Sequence, residues 1–318
     1  MLAALLSKGF LPQELPPLFS STTLANIVGQ AGLTTAFTAQ KAPWTQAVQH
    51  NLARAGGLRR RLTIPNPVNY YRLSSAFQVH APALVTHWAG SPFSKTTPDP
   101  TTQGPRAIAR KAGDRAVFRT KARVGARYLL RADIAQFYPS IYTHSIPWSL
   151  HTKAVAKAQI KDLTLAGNIL DRESQAGQFG QTKGVPIGPD TSLGIAELLL
   201  TPLDKALTST CKIVGGNRFI DDIELTFRTL AEADHAQAYL EALLSEIELQ
   251  INSAKTRIVE LPDKIESSFV TDLRAHVPKS NGKSKAEWID FFNRAFTAAR
   301  SSPQDGVVCE SHESKCKS

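Results

Sequence analysis

Apolar positions change their spacing several times along this 318-residue chain, and each change marks an element. Phe219, Ile223, Leu225 and Phe227 read as two short strands, and the acids Asp221 and Asp222 fall where a tight turn would join them. "YLLRADIAQFYPSI" predicts a strand running into Asp133, then a short turn of helix. Leu193, Ala196, Leu200, Leu203 and Leu207 step by three and four, the spacing of a helix. "TKAVAKAQIKDLTLAGNILDRE" and "LAEADHAQAYLEALLSEIELQIN" also read as helices, the second with Leu240, Leu243, Leu244 and Ile247 on one face. "KTRIVEL" predicts a short strand stopping at Pro262, and "AEWIDFFNRAFTAAR" an amphipathic helix. Upstream, "TQAVQHNLARAG" has helical spacing ending at Gly56–Gly57. "GFLPQELPPLFSSTTLA" and residues 90–105 read as irregular; in "LRRRLTIPNPVNYYRLS" basic residues interleaved with aromatics suit gripping a nucleic-acid backbone and stacking on bases, with a surface loop holding a buried aromatic as the equal alternative. Gly113–Asp114 predicts a hairpin turn with Arg110, Lys111, Arg115 and Arg119 on its arms. The fold class is mixed, α/β or α+β.

Apolar residues make up 42% and charged residues 20%, which excludes disordered and fibrous classes. The apolar run in "MLAALLSKGF" is cut by Lys8, too short for a membrane span and without a cleavage site after it. Three cysteines make no disulfide framework, so a reducing cytoplasm is the default. Cys309, His312 and Cys316 are metal-ligand types, but three of them in a polar tail are weak grounds for a zinc site.

The net charge of +10 tells more once it is located. Residues 1–132 hold 17 Lys and Arg against three acids (Glu14, Asp99, Asp114), a net of +14, and the remainder carries −4. Nine of those basic residues lie between Arg106 and Arg131. Such a front half suits a polyanion, with acidic chemistry in the back half; a solvated basic face is the plainer reading.

An acid pair at a hairpin tip is, by itself, usually an ordinary solvated turn. Here it comes third in an ordered set: Asp133 at a strand end, the glycine-proline loop "KGVPIGPDTS", then "FIDD". In that order the set resembles the palm of reverse transcriptases, with "LQINSAKTRI" similar to their later lysine motif. "KGFLPQELPPLFSS", "LTIPNPVNYYRLS" and "ADIAQFYPSIYTHSIPW" resemble segments of the abortive-infection reverse transcriptases that bacteria carry against phage. The likeness runs from about residue 8 to residue 262.

The resemblance implies a right hand with an N-terminal extension (1–55), basic fingers (56–131), a palm (132–262) whose sheet carries the catalytic aspartates, and a helical C-terminal segment with a tail (263–318). It also implies RNA-directed or template-independent polymerisation of deoxynucleotides with two Mg²⁺ or Mn²⁺ ions. Phosphoryl transfer needs charge compensation at the attacking and leaving oxygens, which two metals about 4 Å apart supply. Without cations, two carboxylates at about 4 Å repel by about 4 kcal/mol at an effective dielectric near 20.

By the same resemblance Asp133 and Asp221 bridge the metals. Asp222 is an outer ligand, and the Ile134 carbonyl completes a shell. Tyr138, beside Phe137, stands where the family excludes a 2′-hydroxyl; a core tyrosine is the alternative. Lys255 would protonate pyrophosphate, unless it is simply a solvent-facing lysine. Gly184 and Pro186 belong to the nucleotide-contacting loop, and Arg110 and Arg119 are candidates for the triphosphate. Nucleic acid and deoxynucleotides are the implied partners in a bacterial cytoplasm, and the family adds a homo-oligomer, a noncoding RNA or a partner toxin.

Two departures stand out. Phe219 replaces the usual tyrosine, and only about 55 residues follow the palm, where relatives carry a large helical domain. Some relatives attach their product to a C-terminal tyrosine, whereas Tyr239 is the last tyrosine here. The expectation is a truncated form or a different priming mode. A nucleic-acid-binding module without turnover and a ribonucleotide-polymerising or cyclising palm are the competing readings.

Overall fold

The strand that ends in Asp133 lies inside a four-stranded antiparallel sheet. The computed structural model describes residues 1–16, 18–28, 37–38, 42–53, 59–109, 112–278 and 285–301. Arg110, Lys111 and the Cys309, His312 and Cys316 tail lie outside the described residues. A two-stranded ribbon pairs β1 (Val48–Ala53) with β2 (Arg59–Ile64). The larger sheet has the order β4 (Gly215–Phe219), β5 (Asp222–Phe227), β3 (Tyr128–Asp133), β6 (Arg257–Glu260). All of its pairings are antiparallel, so the fold is α+β rather than a parallel α/β sheet.

Register sorts its residues by face. Ala132, Leu130 and Tyr128 on β3 oppose Ile223, Leu225 and Phe227 on β5. Alternation therefore sends Asp133, Arg131, Asp222, Glu224 and Thr226 to the other face. The apolar face is the core side, where Leu130, Ile223, Leu225 and Phe227 pack with Leu240 and Leu244 of the helix Leu230–Glu246. Thr229 and Glu232 cap that helix reciprocally.

The central helix Asp190–Thr210 is buried from Asp190 to Asp204 apart from Pro202, which lies inside it. Proline disturbs the bond to the carbonyl four residues back. Here the Leu198 carbonyl instead accepts from His87 Nε2 at 2.9 Å, and burial lowers the His87 pKa, favouring the neutral ring. Gly194 allows the aromatic rings in: a Cβ there would meet Phe77 at 2.5 Å. The Gly194 carbonyl accepts from Trp88 Nε1 at 3.0 Å.

Several expectations are corrected. Residues 48–53 are a strand rather than helix, because β1 pairs with β2. "LRRRLTIPNPVNYYRLS" is not a loop but β2 followed by the helix Pro67–Val79, which Asn66 caps with proline at its start. "TKAVAKAQIKDLTLAGNILDRE" breaks into Lys153–Ala158 and Ala166–Ala176, where the Asn168 side chain grips the Gln159 and Asp162 carbonyls. The hairpin expected at Gly113–Asp114 is absent: Asp114 caps a helix, Arg115–Arg123, accepting from Ala116 N–H at 2.8 Å. Asp is a better cap than Gly-Asp is a hairpin signal when no apolar alternation flanks it.

The chain divides into two compact units, Met1–His50 with Leu62–Leu261, and Asn51–Arg61 with Pro262–Ser318. In the second, the helices Ser268–Ala275 and Lys285–Ser301 bury Leu273 against Phe291 and Ala295. No helix among the described residues is long and apolar enough to cross a membrane.

Candidate active site

β3 and β5 bring Asp133 directly opposite Asp222. Facing residues on antiparallel strands have Cα atoms about 4.5–5.5 Å apart, with side chains on the same face. Asp221 is next to them in the two-residue turn between β4 and β5, where Phe219 pairs with Asp222. Ile220, the other turn residue, has φ +58°. That suits a primed hairpin turn but is an outlier for a β-branched residue, costing about 1–3 kcal/mol.

The three carboxylates differ in their partners. Asp133 Oδ1 accepts from Asn252 Nδ2 at 2.8 Å and Oδ2 from Lys255 Nζ at 3.1 Å. The Asn252 amide also bonds the Asp133 carbonyl at 2.7 Å, so the turn after Ile251 is stitched to the end of β3. Asp222 Oδ2 accepts from Arg115 Nη1 at 3.0 Å, and that guanidinium lies 4.1 Å from the centre of the Phe219 ring. Burial raises the Asp222 pKa and Arg115 counters it. Among the described residues no cation forms an ion pair with Asp221. Burial, reinforced by Asp133 and Asp222, pushes its pKa up to about 6.

These donors are hard oxygens, suited to Mg²⁺ or Mn²⁺, and the raised Asp221 pKa marks a centre short of positive charge. As arranged, no three His, Cys, Asp or Glu side chains among the described residues close around a common point. Lys255 and Arg115 occupy Asp133 and Asp222 instead. The donor set fits a divalent metal, and binding one would require those two cations to give way. Ile134 continues β3 through a bridge to Ile251.

The helix Arg115–Arg123 lies against the polar face of the sheet through Asn217 to the Phe118 carbonyl (3.0 Å) and Thr226 to the Ala122 carbonyl (2.6 Å). Arg115 and Arg119, one turn apart on it, face Asp222 and Glu224. Arg119 holds the buried Glu224 with two bonds, at 3.0 and 3.1 Å, and Arg131 adds a contact at 3.5 Å. Among the described arginines Arg115 is the one that pairs with a site aspartate, and sequence reasoning missed its place because the supposed hairpin gave the arms no register.

The glycine-proline loop is pinned on several sides. Gly184 and Gly188 have φ +92° and +131°. Gly184 N–H donates to the Ile141 carbonyl (2.7 Å), and Val185 N–H to that of Tyr138 (2.9 Å). Pro186 therefore follows two residues tied to the segment that carries Tyr138, whose ring packs 5.3 Å from that of Phe137. On the far side Thr63 N–H donates to the Ile187 carbonyl at 2.9 Å. Asp190 closes the loop: it accepts from Arg106 and from the Ala107 and Ile108 amides at 2.7 and 3.0 Å. Arg106 also donates to the Gly188 carbonyl at 2.9 Å. Neither Arg106 nor Asn252 stood out in the sequence, since each acts through a partner more than 80 residues distant.

An antiparallel palm with paired acids at one strand end and a glycine loop alongside is the arrangement of a nucleotidyl-transferring palm. Residues 80–289 match the reverse transcriptase (RNA-dependent DNA polymerase) family, and the chain belongs to it. No curated protein matches the sequence. Among solved structures the chain is similar to apo telomerase from Candida tropicalis truncated from its C-terminal domain, at 13% identity and a TM-score of 0.46, covering 80% of this chain and 59% of that one. It is also similar to telomerase from Candida albicans in complex with a fragment of telomeric RNA, at 11% identity and 0.45, covering 85% of this chain and 55% of that one. The chain thus spans somewhat over half the length of those structures.

Proposed function

We propose that this protein is a metal-dependent polymerase of deoxynucleotides, RNA-directed or template-independent, acting in abortive-infection defence against phage in a bacterial cytoplasm. The observation that carries the polymerase reading is Asp133 paired in register with Asp222, with Asp221 on a strained turn beside them. Three neighbouring acids, one of them with its pKa raised to about 6 by burial and by the other two, make poor structural sense without cations. Asp133 and Asp221 would hold the Mg²⁺ or Mn²⁺ ions, with Asp222 as an outer ligand and the Ile134 carbonyl completing one shell. When bound, the metals supply Lewis-acid stabilisation of the triphosphate and activation of the attacking hydroxyl.

The chain's own residues do the rest. Lys255, now on Asp133, is the general acid for the leaving pyrophosphate. Tyr138, with its carbonyl tied to the glycine loop, excludes a 2′-hydroxyl, and Phe137 backs it. Gly184 and Pro186 shape the nucleotide's floor. Arg115 turns from Asp222 to the triphosphate, and Arg119 would have to leave Glu224 to join it, with Arg110 a further candidate. The division into extension, fingers, palm and C-terminal segment, and any homo-oligomer, noncoding RNA or partner toxin, belong to the same reading.

A second reading, nucleic-acid binding without turnover, is favoured by one observation: Lys255 and Arg115 already neutralise Asp133 and Asp222. Asp221→Asn separates the two. A polymerase loses incorporation of labelled deoxynucleotides and keeps nucleic-acid binding, whereas a binder shows no incorporation before or after the change.

A further inference from the structure

The turn that presents Asp221 is built on a residue that resists it, and both polar groups of that residue are gripped. Ile220 N–H donates to Thr96 Oγ1 at 3.1 Å, and its carbonyl accepts from Arg218 Nη1 at 3.0 Å. The Thr96 hydroxyl donates to Glu197 Oε1 at 2.7 Å, and the same Arg218 nitrogen donates to that oxygen at 3.1 Å. The four bonds close a ring around one peptide conformation.

The ring is anchored from below. Arg218 pairs with Ile223 across β4 and β5, so its side chain enters the core face while Phe219 and Asp222 take the other. There it meets the helix Asp190–Thr210, where Glu197 and Asp204 stand two turns apart on one side. Arg218 Nη2 donates to Glu197 Oε2 at 2.8 Å and to Asp204 Oδ2 at 2.7 Å, and Nε donates to the same Asp204 oxygen at 2.9 Å. Ser91 Oγ adds a bond to Asp204 at 2.5 Å. Arg218 and Glu197 are wholly buried. The segment carrying Thr96 is seamed to the edge of β4, with Arg218 N–H to the Phe93 carbonyl (2.9 Å) and Lys95 N–H to the Arg218 carbonyl (2.8 Å).

Apolar side chains of similar volume hold a helix to a sheet at least as well as a buried charge cluster. They cannot bond a turn's backbone. We propose that Thr96, Glu197 and Arg218 are positioning residues that keep Ile220 in its left-handed conformation and so fix Asp221 against Asp133 and Asp222. This rests on the reading of the aspartates as a metal-binding centre and deepens it.

Thr96→Val removes the hydroxyl at nearly constant shape, and Thr96→Ser keeps it. Ile220→Gly removes the need for a grip, because glycine adopts positive φ freely. Amide hydrogen exchange at Ile220 is followed by NMR on the ¹⁵N-isoleucine-labelled full chain, and Mn²⁺ binding by electron paramagnetic resonance. The expected result is at least tenfold faster exchange and about tenfold weaker Mn²⁺ binding in Thr96→Val, and neither in Thr96→Ser. Adding Ile220→Gly to Thr96→Val should return most of the Mn²⁺ affinity. Unchanged exchange in Thr96→Val would overturn the proposal, as would faster exchange with unaltered Mn²⁺ binding, or a glycine that restores nothing. Deoxynucleotide incorporation is measured on the same samples. Mn²⁺ affinity that follows this pattern while no sample incorporates, wild type included, would leave the positioning role standing and remove the polymerase reading.

Discussion

Asp221→Asn should make the metal-free protein more stable, and by an amount that depends on pH. Asp221 has its pKa raised from 3.8 to about 6 in the folded chain, mainly by burial. A group whose folded pKa is raised favours folding while it is protonated. That contribution is complete below pH 3.8 and is lost as pH rises through 6. Asparagine stands in for the neutral acid at every pH. The difference between variant and wild type should therefore be near zero at pH 3.5, grow between pH 4 and 6, and level off above pH 6.5. The full shift corresponds to about 3 kcal/mol, and water around this half-buried side chain reduces it to about 1–2 kcal/mol. Urea unfolding at half-unit steps from pH 3.5 to 8, in EDTA, measures it through midpoints at constant slope. In millimolar Mg²⁺ the ordering should reverse, since a cation that binds the native site stabilises only the protein that keeps the carboxylate. A difference that stays flat across pH 4 to 6.5 would show that the surroundings do not raise the Asp221 pKa.

Lys255→Ala should lower the incorporation rate about 100-fold while leaving nucleic-acid affinity unchanged, as loss of a general acid does; pre-steady-state rapid quench checks it. Tyr138→Ala should admit ribonucleotides in a competition assay, and unchanged discrimination would return Tyr138 to the core-tyrosine reading. Arg119→Ala should lower stability by about 1–3 kcal/mol, because it leaves the buried Glu224 short of a partner, and Arg115→Ala should cost little stability but raise the apparent KM for deoxynucleotides. Asp190→Asn should destabilise the glycine loop, read as faster amide exchange at Ala107 and Ile108, whose N–H groups it accepts.

The palm was legible because its signals are local. Alternation around Asp221 marks β4 and β5, and three- and four-residue steps mark the helices beneath them, where burial of one face enforces the pattern. The glycines of the loop were legible for a related reason: positive φ at Gly184 and Gly188 restricts what can stand there. The front half was harder. Helical spacing in "TQAVQHNLARAG" lost to pairing with β2, a decision made by a partner strand rather than by the segment itself. The loop at 90–105 carries Thr96, whose importance comes from a contact with Ile220 across more than 100 residues. Arg218 stands immediately before "FIDD", and nothing in its neighbourhood marks it out. Its burial against Glu197 and Asp204 has no local signature, because the helix and strand that supply the partners meet only in the folded chain.

The central claim is that the paired aspartates support nucleotidyl transfer. The most direct test is incorporation of labelled deoxynucleotides by the full chain in Mg²⁺ and in Mn²⁺, with and without an RNA template, beside Asp221→Asn and a ribonucleotide control. The account predicts deoxynucleotide product from the wild type, lost in Asp221→Asn while nucleic-acid binding persists. Product requiring the template would define RNA-directed synthesis, and product without it the template-independent form. Nucleic acid bound by both proteins with no product from either would contradict the claim.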